Sequence, residues 1–226
     1  MILALEGHSY SGKTTLLNYI KDNFMIGTIP EHDTYILNAS EDECPPFPHS
    51  NNYVVKKSID FFANLEQIRF NEMLKLSTSD TVYDRSFMSV IIFQSYVESL
   101  HKSGFCSDHK YAKDSLISLV RKGRIALPDY FIFVRCNSPD IYLKRQTREI
   151  SVDALRGNDA LSFFEKQYNT IFNIYKTYDR ATVIYSDNTL DNLKNNSSYI
   201  VDLALNGSIL SDTETNKIIC ALEDSL

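Results

Sequence analysis

Eight consecutive residues, Gly7-His8-Ser9-Tyr10-Ser11-Gly12-Lys13-Thr14, satisfy the pattern G-x-x-x-x-G-K-[ST] in full. That spacing suits one kind of chemistry. The two glycines let the backbone curl so that its N–H groups converge on phosphate oxygens. A lysine directly after the second glycine reaches the β- and γ-phosphates, and the hydroxyl that follows it ligates Mg²⁺. Lys13 and Thr14 hold those two places, with Thr15 beside them. The stretch predicts a bound nucleoside triphosphate, ATP, together with Mg²⁺. An ordinary glycine turn beside a surface lysine is the competing reading. A second cluster, Asp84-Arg85, follows Thr81-Val82-Tyr83. An acid at the carboxyl end of a strand suits the Mg²⁺ shell, alongside Thr14, and an arginine there clamps a phosphate or an acceptor group.

These residues need elements to hold them. Residues 2–6 read as a short buried strand, and 13–23 as the helix that the phosphate loop opens, with Leu16, Leu17 and Ile20 on one face. Met25–Ile29 is a second apolar run closed by Pro30. Residues 38–52, rich in proline and asparagine, read as a long loop. Helical spacing returns over 58–77, a strand over 81–83, and an unusually apolar helix over 87–102. A helix over 114–121, a buried strand over 130–134, a helix from Ser138-Pro139, a long aromatic helix over 160–179 and a strand over 181–185 follow. Asn195–Ser198 reads as a linker to a helical tail. Strands alternating with helices predict a parallel sheet covered on both faces, a three-layer α/β/α fold of the P-loop NTPase kind. The expected division is a domain over 1–195 and a tail over 196–226 of the same domain.

Composition bounds the function. The chain has 226 residues, 43% hydrophobic and 23% charged, so it can bury a core of its own. A net charge of −6 argues against a general nucleic-acid binder. No apolar run reaches the ~20 residues of a membrane span, and no signal peptide is legible at the start. Cys44, Cys106, Cys136 and Cys220 form no C-x-x-C pair and read as reduced thiols, which points to the cytoplasm. The five histidines show no metal-ligand spacing, so Mg²⁺ is the only metal implied.

Asp84-Arg85, with Ser89, Phe93 and Gln94, resembles the D-R-x-x-x-S-x-x-x-[FY]-Q motif of thymidylate kinases. Asp84-Arg85-Ser86 with Ser89 is also similar to the E-R-S-x-x-S motif of deoxyribonucleoside kinases. Leu127-Pro128-Asp129-Tyr130 through Pro139-Asp140-Ile141-Tyr142-Leu143-Lys144-Arg145 resembles a stretch that both families share. The resemblance spans roughly residues 1–190. It implies phosphoryl transfer from Mg·ATP to a small acceptor. One position departs from the thymidylate kinase pattern: Ser9 stands where that family carries Asp. Pro30-Glu31, 18 residues after Lys13, resembles the element whose glutamate is the base for the 5′-hydroxyl in deoxyribonucleoside kinases. The resemblance also implies an arginine-bearing lid, near 143–160. Arg145 and Arg148, three apart on one helix face, match it. The loop at Ser186-Asp187-Asn188 would hold adenine.

The residues then divide into roles. A nucleoside hydroxyl is a poor nucleophile, and a carboxylate within reach can take its proton. Glu31 is the candidate, with Asp84 as competitor. A monophosphate acceptor needs positive charge instead of a base. Lys13, Arg85, Arg145 and Arg148 would neutralise the transferred group. For the acceptor, Phe62 could stack and Asn64, Gln67 and Gln94 could bond a base edge, while Arg69 could face an acceptor phosphate. Packing is the competing reading of each aromatic. A non-nucleotide hydroxyl acceptor, a thymidylate kinase proper and a non-catalytic ATP binder remain as alternatives. Relatives are commonly homodimers, and the 87–100 helix would be either a dimer face or core.

Overall fold

The computed structural model describes residues 1–36, 43, 47, 49, 51–100, 106–138, 158–187 and 189–226. Five strands, β1 (Ile2–Glu6), β2 (Gly27–Ile29), β3 (Thr81–Asp84), β4 (Tyr130–Cys136) and β5 (Ala181–Ser186), form one sheet. Its order is β2-β3-β1-β4-β5, and every pairing is parallel. Both faces are covered, and β4 shows why its sequence is almost wholly apolar. Phe131 and Phe133 enter one hydrophobic cluster, and Ile132 and Val134 enter the other. Successive side chains point to opposite faces of a strand, so both sets must be apolar when both faces are buried.

Helix α1 (Lys13–Asn23) covers one face with α7 (Leu190–Asn206), through Leu16, Leu17, Ile20, Ile200 and Val201. The opposite layer holds α4 (Phe87–Ser99), α5 (His109–Arg121), α6 (Asn158–Lys176) and α8 (Asp212–Ser225). Long α3 (Asn52–Lys75) packs against β2, and short α2 (Asp33–Ile36) follows β2 in the chain. Ile218, Ile219 and Leu222 of α8 are buried in the same cluster as α4 and α6.

Several expected boundaries move. Helix α3 begins at Asn52, well before 58, because the Asn51 side chain accepts from Val54 N at 3.0 Å and caps it. Asp108 does the same for α5, which begins at His109. The linker expected at Asn195–Ser198 does not exist: those residues lie inside α7, where Asn196 Nδ2 donates to Tyr185 O at 2.9 Å and Ser197 is fully buried. Polar residues that bond the neighbouring strand resemble a linker in sequence. The apolar α4 is mostly core, since Phe87, Met88, Ile91, Ile92 and Val97 are all buried. The helix expected from Ser138-Pro139, most of the expected lid with Arg145 and Arg148, and most of the 38–52 loop lie outside the described residues. Among the described residues, no helix is long and apolar enough to cross a membrane.

Candidate active site

The chain lays β2 and β3 to one side of β1, then crosses to lay β4 and β5 on the other. The carboxyl end of β1 is therefore a topological switch point, where open α/β sheets form their binding crevice. The phosphate loop starts there. Gly7 takes φ 140°, and a Cβ on it would lie 2.4 Å from the Val134 carbonyl oxygen. Only glycine fits both demands. Gly12 takes φ 98° and leads directly into α1. Tyr10, between them, is left-handed at φ 66°.

Lys13 is folded back onto the loop. Its Nζ donates to His8 O at 2.9 Å and to Ser11 Oγ at 3.3 Å. Burial, reinforced by the nearby Arg85 charge, pushes its ammonium down to about 8. His8 is buried too, and burial lowers it to about 4, so it is neutral at pH 7. Thr14 Oγ1 donates to Asp84 Oδ2 at 2.6 Å. The other oxygen, Asp84 Oδ1, is buried and has no hydrogen-bond partner among the described residues. Burial raises the Asp84 carboxyl. A buried carboxylate oxygen without a donor, next to a hydroxyl, is a donor set suited to a hard cation.

Arg85 connects this loop to Glu31. It is left-handed at φ 61°. Its Nη1 donates to Gly7 O at 3.0 Å and to Tyr168 OH at 3.1 Å, and its Nη2 donates to Ser9 Oγ at 3.3 Å. Its Nε forms an ion pair with Glu31, just past β2. Burial alone would raise the Glu31 carboxyl, but Arg85 and Lys13 outweigh it and hold the group below its usual value. Beside it, burial and the Glu31 charge push Asp33 up.

These groups open onto a cavity of about 270 Å³ that Glu31, Arg85, Phe62, Phe93 and Gln94 help to line. A second cavity, about 220 Å³, lies between α1 and the turn after β5, against Gly12, Thr15, Ser186 and Thr189. A third and larger one, about 660 Å³, lies on the far side of His8 against α6, with Cys136, Glu165 and Asn169.

The structure thus brings together the phosphate loop, Glu31, Phe62, Asp84, Arg85 and Gln94. It separates three other candidates from them. Asn64 and Gln67 line a different groove, against Ser115 and Ser118 of α5. Arg69 is fully buried and cannot face an acceptor phosphate. Its Nη2 donates to the carbonyls of Asp84 and Arg85, both at 2.8 Å.

Two participants were missed in the sequence. Glu6, the last residue of β1, is fully buried. Its Oε1 accepts from Ser86 N at 2.7 Å and Ser86 Oγ at 2.6 Å, and its Oε2 accepts from Ser89 Oγ at 2.7 Å. Burial raises its carboxyl against those bonds. A charge ending a buried strand always needs partners, and that was the available signal. Tyr168, whose OH lies 2.9 Å from Ser89 Oγ, carries no signal among the chain's 14 tyrosines.

No family model and no curated protein matches the chain in sequence. Solved structures do match it in shape. The thymidylate kinase of Candida albicans superposes with a TM-score of 0.62 at 15% identity, covering 93% of this chain and 95% of that one. The deoxyadenosine kinase of M. mycoides with bound dCTP gives 0.60 at 14% identity, over 89% and 99%. The same enzyme with dCMP and dCDP gives 0.58 at 17%, over 89% and 97%. The chain has the α/β/α fold that these P-loop nucleoside and nucleotide kinases share.

Proposed function

We propose that the chain is a Mg·ATP-dependent phosphotransferase that moves the γ-phosphoryl group to a nucleoside or nucleotide, with a nucleoside hydroxyl preferred. The observation that carries this reading is the meeting of Glu31 and Arg85 at the boundary between the phosphate loop and the 270 Å³ cavity. A base and a phosphate clamp are needed at one place only if an acceptor is phosphorylated there. The fold shared with nucleoside and nucleotide kinases supports it.

In this reading the triphosphate lies along the loop from Gly7 to Thr15, and Lys13 leaves the His8 carbonyl for the β- and γ-phosphates. Adenine lies in the cavity between Thr15 and Ser186. Thr14 and Asp84 hold Mg²⁺, which when bound supplies charge neutralisation at the phosphoryl oxygens. Arg85 turns from Glu31 to the transferred group. The freed Glu31 carboxylate accepts the hydroxyl proton as the acceptor oxygen bonds to phosphorus and the bond to ADP breaks. Arg145 and Arg148 would close over the donor from the lid.

Charge favours a neutral acceptor. Among the described residues the cavity is lined by two carboxylates, Glu31 and Asp33, against one guanidinium, Arg85, which is already paired. A monophosphate would add negative charge beside Glu31 and Asp33. Ser9, at a position where thymidylate kinases carry Asp, fits the same preference.

Labelled-phosphate transfer from Mg·ATP to parallel pools of nucleosides and nucleoside monophosphates tests the proposal. Label in the nucleoside pool is the expected result. Label only in the monophosphate pool would make the chain a monophosphate kinase. Label in neither would end the reading as a nucleoside or nucleotide kinase.

A further inference from the structure

Building on that proposed reaction, we propose that His32, Glu66 and Arg69 form a buried positioning relay joining the two halves of the site. One end fixes the Asp84-Arg85 turn over the phosphate loop. The other fixes the segment that carries Glu31. None of the three is asked to touch the transferred phosphoryl group.

The geometry at the first end is over-determined. Arg69 is fully buried, and its Nη2 bridges two consecutive carbonyls, those of Asp84 and Arg85. The remaining backbone groups of that turn are also held: Arg85 N donates to Leu5 O at 3.0 Å, and Ser86 N to Glu6. A residue with a Cβ resists the left-handed conformation that Arg85 adopts. Such a conformation persists where its surroundings enforce it, and it tends to occur where strain serves a site. Here it aims the guanidinium at Gly7, Ser9 and Glu31 rather than away from them.

The second end runs through Glu66, itself only 3% exposed. Its Oε1 accepts from Arg69 Nη1 at 2.7 Å and from His32 Nε2 at 2.6 Å. Arg69 Nη1 also lies 3.2 Å from the same His32 Nε2, so the three side chains meet at one point. The ring cannot turn without breaking its bond to Glu66. It stands edge-on to Phe62 at 5.5 Å, and its backbone directly follows Glu31. Apolar side chains would fill this space without the desolvation cost of a buried ion pair. Orientation is what the polar trio supplies and an apolar one would not.

The test uses two variants of the full chain. In the double variant Glu66→Leu with Arg69→Met both charges go together, so neither is left buried and unpaired. Arg69→Lys keeps the charge beside Glu66 but lacks the planar fork that bridges two carbonyls. Deoxyadenosine and dTMP serve as probe acceptors. Both variants are expected to lose about 100-fold in kcat, the scale of a small misplacement of reacting groups, with KM for Mg·ATP unchanged. Their crystal structures are expected to show Arg85 out of its left-handed conformation. Wild-type kcat in either variant would overturn the relay. If Lys restored full turnover, the role would be charge balance alone. If the wild-type protein transferred to neither probe, the phosphotransfer reading would fail instead. The relay would then stand or fall on whether Arg85 keeps its conformation in Arg69→Lys.

Discussion

The two edges of the sheet use polar groups in opposite ways. At the amino edge, Asp129 accepts from Ile2 N at 2.7 Å with one oxygen and from Leu210 N at 2.8 Å with the other. Tyr175 OH donates to Pro128 O at 3.1 Å, and Arg180 holds the carbonyls of Ser208 and Ile209. These bonds tie strands to the tail helices. At the carboxyl edge, Asp84 Oδ1 has no partner among the described residues, Lys13 is folded onto its own loop, and Arg85 is left-handed. Polar groups that satisfy one another stabilise. Groups held incomplete, or held against their conformational preference, are available for a ligand.

Substitutions can break this contrast from either side. Lys13→Ala should abolish phosphoryl transfer while the thermal unfolding curve keeps its midpoint, since the lysine's bonds are to its own loop. Retained turnover would remove the loop from the mechanism. Glu31→Gln should lower kcat on a hydroxyl acceptor by about 10²–10⁴-fold, the range of general-base catalysis. The same variant should have little effect on a monophosphate acceptor, which sharpens the assignment of acceptor class.

Acidity offers a gentler probe. Free Lys13 titrates near 8, whereas a bound triphosphate would keep it charged at higher pH. Below pH 8 the ammonium is already present and binding takes up no proton. Above pH 8 binding must protonate it, so KM for Mg·ATP should rise by up to about tenfold per pH unit. A flat profile from pH 7 to 9.5 would show that the phosphates do not engage this amine.

The smallest effect on activity belongs to the other edge. Asp129→Ala leaves two backbone donors without an acceptor, at about 1–3 kcal/mol each. Its melting temperature should fall while kcat and KM at low temperature stay put. Lost activity in the folded variant would mean that the two edges are coupled after all.

The sequence disclosed the parts that rest on local pattern. Gly7 through Thr14 is a contiguous motif whose chemistry follows from its spacing, and β4 is a run of apolar residues bounded by Pro128. The cavity beside Glu31 was less legible because it is assembled from α2, α3, α4 and α6. Asn64, Gln67 and Arg69 share a helix with Phe62 but face elsewhere, and nothing in the spacing says which side of α3 meets the cavity. Arg69, expected at an acceptor phosphate, is instead buried together with Glu66 three residues before it. Asn195–Ser198 misled for a related reason: asparagine at 196 is a helix-surface donor to Tyr185, which a one-dimensional reading cannot separate from a linker.

The order of the strands carries a consequence for how the chain folds. Strand β1 pairs Ile2 with Thr81 on one side and Leu3 with Tyr130 on the other. Both closures are remote in the chain, and such contacts form late because the intervening loop entropy must be overcome first. The phosphate loop also needs Val134 in place, because that carbonyl is what Gly7 nestles against. The loop is contiguous in the chain, yet it acquires its shape only when β4 has docked. Nucleotide would then bind the finished sheet and act on the rate of unfolding, leaving the rate of folding unchanged.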